Sequence, residues 1–563
     1  MKDANKQYIP FSGVKMAGRE WPDKVITQAP TWCSVDLRDG NQALVTPMQL
    51  EEKLLLFKTL VDIGFKEIEV GFPSASETEY EILRTLIEEN YIPDDVTVQV
   101  LVQARAELIK KTFEAVKGAK NVIIHFYNST STLQRKIVFR QDMEGITAIA
   151  VEGAKLIREL TEAEIADSGM NIRYEYSPES FTGTEIDFSL EICEAVMQEL
   201  GASKEKPVIL NLPSTVEMST PNTYADQIEY FCKHLHNREA AIISLHPHND
   251  RGTAVAAAEL ALMAGAERIE GTLFGNGERT GNLDIVTVAL NMFTQGVDPK
   301  LDFSNILSVK KVYETCTKMH VPERQPYAGE LAFTAFSGSH QDAIRKGFEY
   351  MESTRTGFWE VPYLPINPAD INREYEPVIR INSQSGKGGA AFVLEHAKGY
   401  KLPKEMHPEF GAIVKAASDA FGDELKEEQI VALFEQEYLA CSGRYALIKH
   451  SFRELHEQEG NNNHTCFDGI VSVDGEQKTI HGVGNGPIDC FFQALLGIGV
   501  DGYGFVNYHE HAISRGSDAQ GICYIELKVP NDGHIFGVGI NSNINVAALL
   551  GILCAINRAE NKK

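Results

Sequence analysis

Two histidines two residues apart, His246 and His248 in "SLHPHND" (244–250), close an apolar run. On a strand, side chains at i and i+2 point the same way. The pair would therefore present two imidazoles to one point, as a divalent metal ion requires. "LRDGNQ" (37–42) places Arg38 and Asp39 at the end of another apolar run, and Asp39 is the natural third ligand. Two neutral imidazoles and one carboxylate leave coordination positions open for water or substrate, as a catalytic site needs. A salt-bridged aspartate beside two surface histidines is the competing reading. Arg38 would pair with a substrate carboxylate or stabilise a developing oxyanion, unless it does no more than pair with Asp39. In "GNGERTGN" (275–282) three glycines suggest a backbone loop near a ligand, with Asn282 offering an amide carbonyl to a cation.

Such residues must be positioned by regular elements. Between residues 30 and 300 eight short apolar runs alternate with amphipathic stretches: 32–39, 67–73, 96–102, 121–127, 172–179, 208–214, 241–247 and 268–275. Most are rich in Val and Ile and apolar on both faces, as buried parallel strands should be. Eight strand–helix units over this length predict an α/β fold, a closed (β/α)8 TIM barrel. An open doubly wound sheet is the alternative, but no G-x-G-x-x-G follows the first run. In such barrels chemistry sits at the carboxyl ends of the strands. Those ends read Arg38 and Asp39, Gln103, His125, Glu179, Thr215, His246 with His248, and Asn276. Seven of the eight strands end in polar side chains, and the opposite ends show no such collection.

A chain of 563 residues is too long for one core. Four regions are expected: an amino-terminal arm (1–29), the barrel (30–302), helical linker subdomains (303–435) and an α+β domain (436–563). The last contains a possible repeat, since "KTIHGVGNGPIDCFFQALLGIG" and "HIFGVGINSNINVAALLGILCAI" each read strand, glycine turn, helix. Two βββα units would suit a small-molecule effector site between them, and a plain stable α+β domain fits equally well. "SGKGG" (385–389) reads as a turn opening a helix. Neither it nor "GNGERTGN" matches the P-loop pattern. "GVGNG" (482–486) lies too late in its unit to be a dinucleotide fingerprint.

A net charge of −26 argues against nucleic-acid or acidic-membrane partners. Nine scattered cysteines without a C-x-x-C pair suggest neither a zinc ribbon nor a disulfide framework, and fit reduced cytoplasm. The first residues hold no apolar signal core, and no stretch approaches a membrane-spanning length.

"LRDGNQ", "IHFYNSTS", "YEYSPESFTGTE", "NLPSTVE", "LHPHNDRGTAVAAAELALMAGAERIEGTLFGNGERTGN" and "INSQSGKGG" together resemble the long-form 2-isopropylmalate synthase family. The likeness runs over nearly the whole chain and includes a carboxyl-terminal part similar to that family's leucine-binding regulatory domain. It implies a Claisen condensation of acetyl-CoA with 2-oxoisovalerate, then thioester hydrolysis to 2-isopropylmalate and CoA. It also implies a divalent ion, magnesium first with manganese or zinc as alternatives, held by Asp39, His246, His248 and Asn282. Arg38 would then stabilise the alkoxide, Thr215 contact the keto-acid carboxylate, and His125 line the pocket. Glu179 would assist proton transfer, with His340 favoured as the enolising base. His340 and Tyr375 match subdomain residues that reach the partner protomer's barrel, so a homodimer is implied. Leucine inhibition is expected, although Asn485 stands where relatives often carry Asp.

Homocitrate or citramalate synthesis would use the same metal and differ only in pocket side chains. A lyase of the same superfamily would not need the carboxyl-terminal domain. A metal-dependent hydrolase of the amidohydrolase type places H-x-H on the first strand, not the seventh. A non-catalytic binding protein has little use for polar ends on seven strands.

Overall fold

The computed structural model describes residues 7 and 9–561, apart from 356, 378–388, 422–424, 441–442, 457–462, 515, 517–518 and 531–532. All eight apolar runs form strands: β1 (Thr31–Ser34), β2 (Glu67–Gly71), β3 (Thr97–Gln103), β4 (Asn121–Ser129), β5 (Asn171–Glu179), β6 (Val208–Ser214), β7 (Ala241–Pro247) and β8 (Arg268–Gly271). They close into one parallel barrel, β8 returning to β1 through the register Thr31–Arg268 to Ser34–Gly271. The connecting helices follow from local sequence. In Leu50–Ile63, Glu52 accepts the Gln49 amide at 2.8 Å at the start, and Gly64 at φ 113° ends the helix. Its Leu56, Phe57, Leu60 and Ile63 form the buried stripe.

The barrel interior departs from the expected apolar packing. Glu67, Glu69, Gln99, Glu175, Arg268 and Glu270 are all buried, and they hydrogen-bond or ion-pair across the barrel rather than facing solvent. β2 and β8 alternate charged residues with Ile68, Val70 and Ile269, Gln99 stands between Val98 and Val100 on β3, and Glu175 between Tyr174 and Tyr176 on β5, so the polar side chains turn inward and their apolar neighbours face the helices.

Three strand ends that carry candidate residues differ from the sequence reading. β8 stops at Gly271, so Asn276 lies on the loop beyond it. β1 stops at Ser34, and Asp36–Gly40 winds into one wide helical turn in which the Asp39 and Gly40 amides both donate to Val35 O, at 2.9 and 3.1 Å. Arg38 and Asp39 therefore sit on that turn and not on the strand. β4 continues to Ser129, so His125 lies within the strand, in the buried interior, and not at its end.

The chain forms two compact units, one of residues 1–333 with 365–375 and one of 334–364 with 376–563. The second unit contains a two-residue parallel pair, β9 (Thr334–Ala335) and β10 (Glu376–Pro377), and helices Gly338–Thr354, Gly389–Lys398, His407–Phe421 and Glu427–Phe434. Most of "SGKGG" lies outside the described residues. Then the βββα order occurs twice. β11 (Tyr445–His456), β12 (Asn463–Val473) and β13 (Glu476–Gly484) form an antiparallel sheet followed by helix Pro487–Leu496. β14 (Gly504–Ala512), β15 (Gly521–Lys528) and β16 (His534–Asn541) form another, followed by Ile544–Asn561. The eight described cysteines are free. Among the described residues no helix is long and apolar enough to cross a membrane.

The Gly-Val-Gly element of each copy has a packing cause. A β-carbon on Gly482 would strike the Cys490 carbonyl oxygen, and one on Gly537 the Gly551 carbonyl oxygen. The glycines let each helix lie with its backbone directly on the strand. Gly537→Ala is expected to destabilise the protein by about 1–3 kcal/mol through overpacking. Gly338→Ala, whose added methyl meets nothing within 4 Å, should leave the melting temperature near that of the parent. Thermal unfolding of both variants checks the contrast.

Candidate active site

β7 delivers His246 and His248 to the carboxyl-terminal mouth with their ring centroids 5.3 Å apart. The helical turn after β1 brings Asp39 Oδ2 to 3.2 Å from His246 Nε2 and 3.7 Å from His248 Nε2, with all three residues buried. Ligand atoms of the three lie within 4.8 Å of one another. Asn282 arrives through an isolated antiparallel bridge with His248 and donates from Nδ2 to Asp39 Oδ2 at 2.9 Å. The preceding loop is held in this path by Gly281 at φ 107°, where a side chain would run into Gly275 O.

The donor set suits a divalent cation. With its amide nitrogen on Asp39, Asn282 keeps Oδ1 buried without a hydrogen-bond partner, and His248 Nδ1 is in the same state. A buried carbonyl oxygen left unpaired is costly unless something positive meets it. Two imidazoles, a carboxylate and an amide oxygen accept magnesium, manganese or zinc.

Arg38 and a protonated His246 supply the positive charge around Asp39. Burial would raise the Asp39 carboxyl, but the Arg38 guanidinium and the two imidazoles hold it well below the usual carboxylate range. Burial disfavours a charged His246, yet hydrogen bonds to Asp39 and Glu270 lift it to about 9. Burial, with His246 alongside, lowers His248 to about 4. Glu270 Oε2 lies 2.8 Å from His246 Nδ1, which orients the ring so that Nε2 faces Asp39. Arg38 donates from NH1 to Asp39 Oδ1 at 2.9 Å and from Nε to Glu69 Oε2.

The remaining sequence-selected residues are spread over both units. Glu179 ends β5, half-buried, and accepts from the Ser129 hydroxyl. Thr215 follows β6, and its hydroxyl accepts the Ser180 amide at 2.9 Å, so these two strand ends are stitched together. His125 lies lower, hydrogen-bonded through Nδ1 to Glu69 and through Nε2 to Ser177, each at 2.7 Å. His340 is in the second unit, exposed on helix Gly338–Thr354 and stacked on Tyr363 with ring centroids 4.1 Å apart. Tyr375 is half-buried just after the turn Pro368–Ile371, and burial raises its phenol. Asn276 donates from Nδ2 to Gly40 O at 3.0 Å, tying the β8 loop to the Asp39 turn. Asn249 and Asp250 have comparable tasks: the Asn249 side chain accepts the Ala254 amide, and Asp250 pairs with Arg279.

Sequence reasoning missed Glu69 and Glu270, which orient Arg38 and His246. Their signal was available as charge at alternate positions in "EIEV" and "RIEG". A second trio, His125, Glu175 and Glu270, also gathers ligand atoms within 4.8 Å. There the positive charge is the protein's own, because Arg268 lies 3.3 Å from Glu175 Oε2 and 3.0 Å from Glu270 Oε1.

Three family models match successive parts of the chain: HMGL-like over residues 29–312, Alpha-isopropylmalate synthase, post-catalytic domain-like over 330–395, and LeuA allosteric (dimerisation) domain over 424–560. The 2-isopropylmalate synthase of Clostridium acetobutylicum is 55% identical over 557 residues, covering 99% of each chain. That of Rhodospirillum rubrum is 53% identical over 567 residues and covers all of both, and that of Mesorhizobium japonicum is 52% identical over 564 with the same coverage. With such identity held from end to end, the chain belongs to the 2-isopropylmalate synthase family of transferases.

Proposed function

We propose that the protein condenses acetyl-CoA with 2-oxoisovalerate and water to give 2-isopropylmalate and CoA, under feedback by leucine bound to the carboxyl-terminal repeat. The observation that carries this reading is the convergence of Asp39, His246, His248 and Asn282, with the unpaired Asn282 oxygen among them. Those four residues would hold a divalent ion, magnesium by preference, and when bound it polarises the keto-acid carbonyl.

The chain's own residues do the rest. Thr215 orients the keto-acid carboxylate, and His125 sits beneath the pocket. A C–H bond of the acetyl methyl breaks, with the proton passing to His340 working with Glu179. The resulting carbon nucleophile bonds to the keto carbon, and the carbonyl electron pair becomes an alkoxide. Arg38 faces that charge with NH2, which no described residue engages, while Nε and NH1 stay fixed on Glu69 and Asp39. The alkoxide takes up the proton held by His340, and water then adds its hydroxyl to the thioester carbon as the C–S bond breaks, its remaining proton leaving on the CoA thiol. His340 and Tyr375 serve the barrel of a second copy, so the working unit is a homodimer in the cytoplasm.

The test is thiol release from acetyl-CoA with a panel of 2-oxo acids. The expected result is highest kcat/KM with 2-oxoisovalerate, loss of turnover on chelation, recovery with magnesium or manganese, and inhibition by leucine. Turnover that survives chelation would contradict the metal assignment, and preference for 2-oxoglutarate or pyruvate would contradict the substrate.

A further inference from the structure

Six side chains close a hydrogen-bonded circuit that includes the floor of the candidate site. Arg38 NH1 donates to Asp39 Oδ1 at 2.9 Å, and Arg38 Nε donates to Glu69 Oε2. Gln99 Nε2 donates to Glu69 Oε1 at 3.1 Å and to Glu270 Oε1 at 2.7 Å. Glu270 Oε2 meets His246 Nδ1 at 2.8 Å, and His246 Nε2 meets Asp39 Oδ2 at 3.2 Å. Glu69, Gln99 and Glu270 have no exposed surface.

Gln99, in the middle of β3, is the one amide in the circuit and joins Glu69 to Glu270 at the floor, as Asp39 joins Arg38 to His246 at the mouth. Its orientation is determined, because its carbonyl Oε1 accepts from Arg268 NH2 at 2.7 Å. The NH2 group must therefore face the two carboxylates. His125 Nδ1 lies 3.3 Å from the same nitrogen, but that ring nitrogen has a closer partner in Glu69 at 2.7 Å. Each carboxylate thus puts one oxygen on Gln99 and the other on a group at the mouth: Glu270 on His246, Glu69 on Arg38. Without the amide, Glu69 Oε1 would still meet His125 Nδ1 and Glu270 Oε1 would still meet Arg268 NH1, but no shared donor would tie the two carboxylates to each other.

We infer that Gln99 is a positioning residue. It touches no reacting atom, and it sets the ligand imidazole of His246 in register with the Arg38 guanidinium through the barrel floor. This rests on reading the Asp39 cluster as a cation site.

The test uses the full-length protein with Mn2+ as the probe, titrated by the loss of the free-ion paramagnetic resonance signal, alongside steady-state kinetics. Gln99→Met keeps length and removes both donors. Its Mn2+ dissociation constant is expected to rise by about 10-fold or more, the size seen when an outer partner of a metal ligand is lost. kcat should fall by a similar factor of about 10, with KM for acetyl-CoA changed by less than about 2-fold, since only transition-state alignment is lost. Gln99→Glu, which as a carboxylic acid keeps one donor, should fall between Met and the parent on both measures. A parent protein that takes up no Mn2+ would remove the cation reading, and this inference with it. A parent that binds Mn2+ beside a folded Gln99→Met protein with unchanged affinity and kcat would overturn the inference alone. If Gln99→Met does not fold, Gln99→Glu decides on the same criteria. Failure of both to fold would make Gln99 a core residue only, and would also overturn it.

Discussion

Alanine in place of Asp39 is expected to lower kcat/KM by about a thousand-fold or more and to abolish detectable divalent-ion binding. Asp39 is where the site converges: Arg38, His246, His248 and Asn282 all place a nitrogen within 3.7 Å of its carboxylate. Its loss leaves two imidazoles with no anionic ligand and frees Arg38 to turn wholly onto Glu69. Folding should survive, because Arg38 and His246 retain carboxylate partners in Glu69 and Glu270. Kinetics with 2-oxoisovalerate and an ion titration on the purified variant check this. Activity within ten-fold of the parent would remove Asp39 from the site.

Arg268→Met should have the largest effect on stability. The guanidinium is fully buried, lies 2.6 Å from Glu67 and 3.0 Å from Glu270, and donates to Ser244 at 2.8 Å and Gln99 at 2.7 Å. Burial, with Glu270 and Glu69 nearby, pushes the Glu175 carboxyl well above its ordinary range even with Arg268 present. Removing the cation leaves Glu67 and Glu270 charged in a space with few positive groups, and breaking one side of a buried pair costs about 3–5 kcal/mol. Lysine should recover only part of this, since a single ammonium cannot span carboxylates on both sides of the barrel. Chemical denaturation of the Met and Lys variants checks the order. A Met variant as stable as the parent would show that the floor does not need its charge.

Much of the frame was legible because strands announce themselves locally. Short apolar runs, most of them rich in Val and Ile, located all eight barrel strands, and the period of two made His246 and His248 neighbours before any coordinates. The misplacements arose where long-range pairing decides. Nothing in "DLRDG" signals a helical turn; it forms because Val35 O collects the amides of Arg38, Asp39 and Gly40 beside the β8 loop. The polar "NS" after "NVIIHFY" looked like a strand end, yet β5 pairs with it out to Ser129 and Glu179, which leaves His125 inside. The charged floor was hidden for the same reason. Its partners come from β2, β3, β5 and β8, and a carboxylate on a single strand gives no hint of the guanidinium it will meet.

That floor also bears on how such a protein can diversify. Each member answers to at least two others, so most single replacements there strand a partner, and tolerated changes would have to arrive as matched sets. Loops above the strands carry no such mutual obligation. Descendants of this chain would therefore acquire new substrate preferences from the rim while the polar interior stays much as it was.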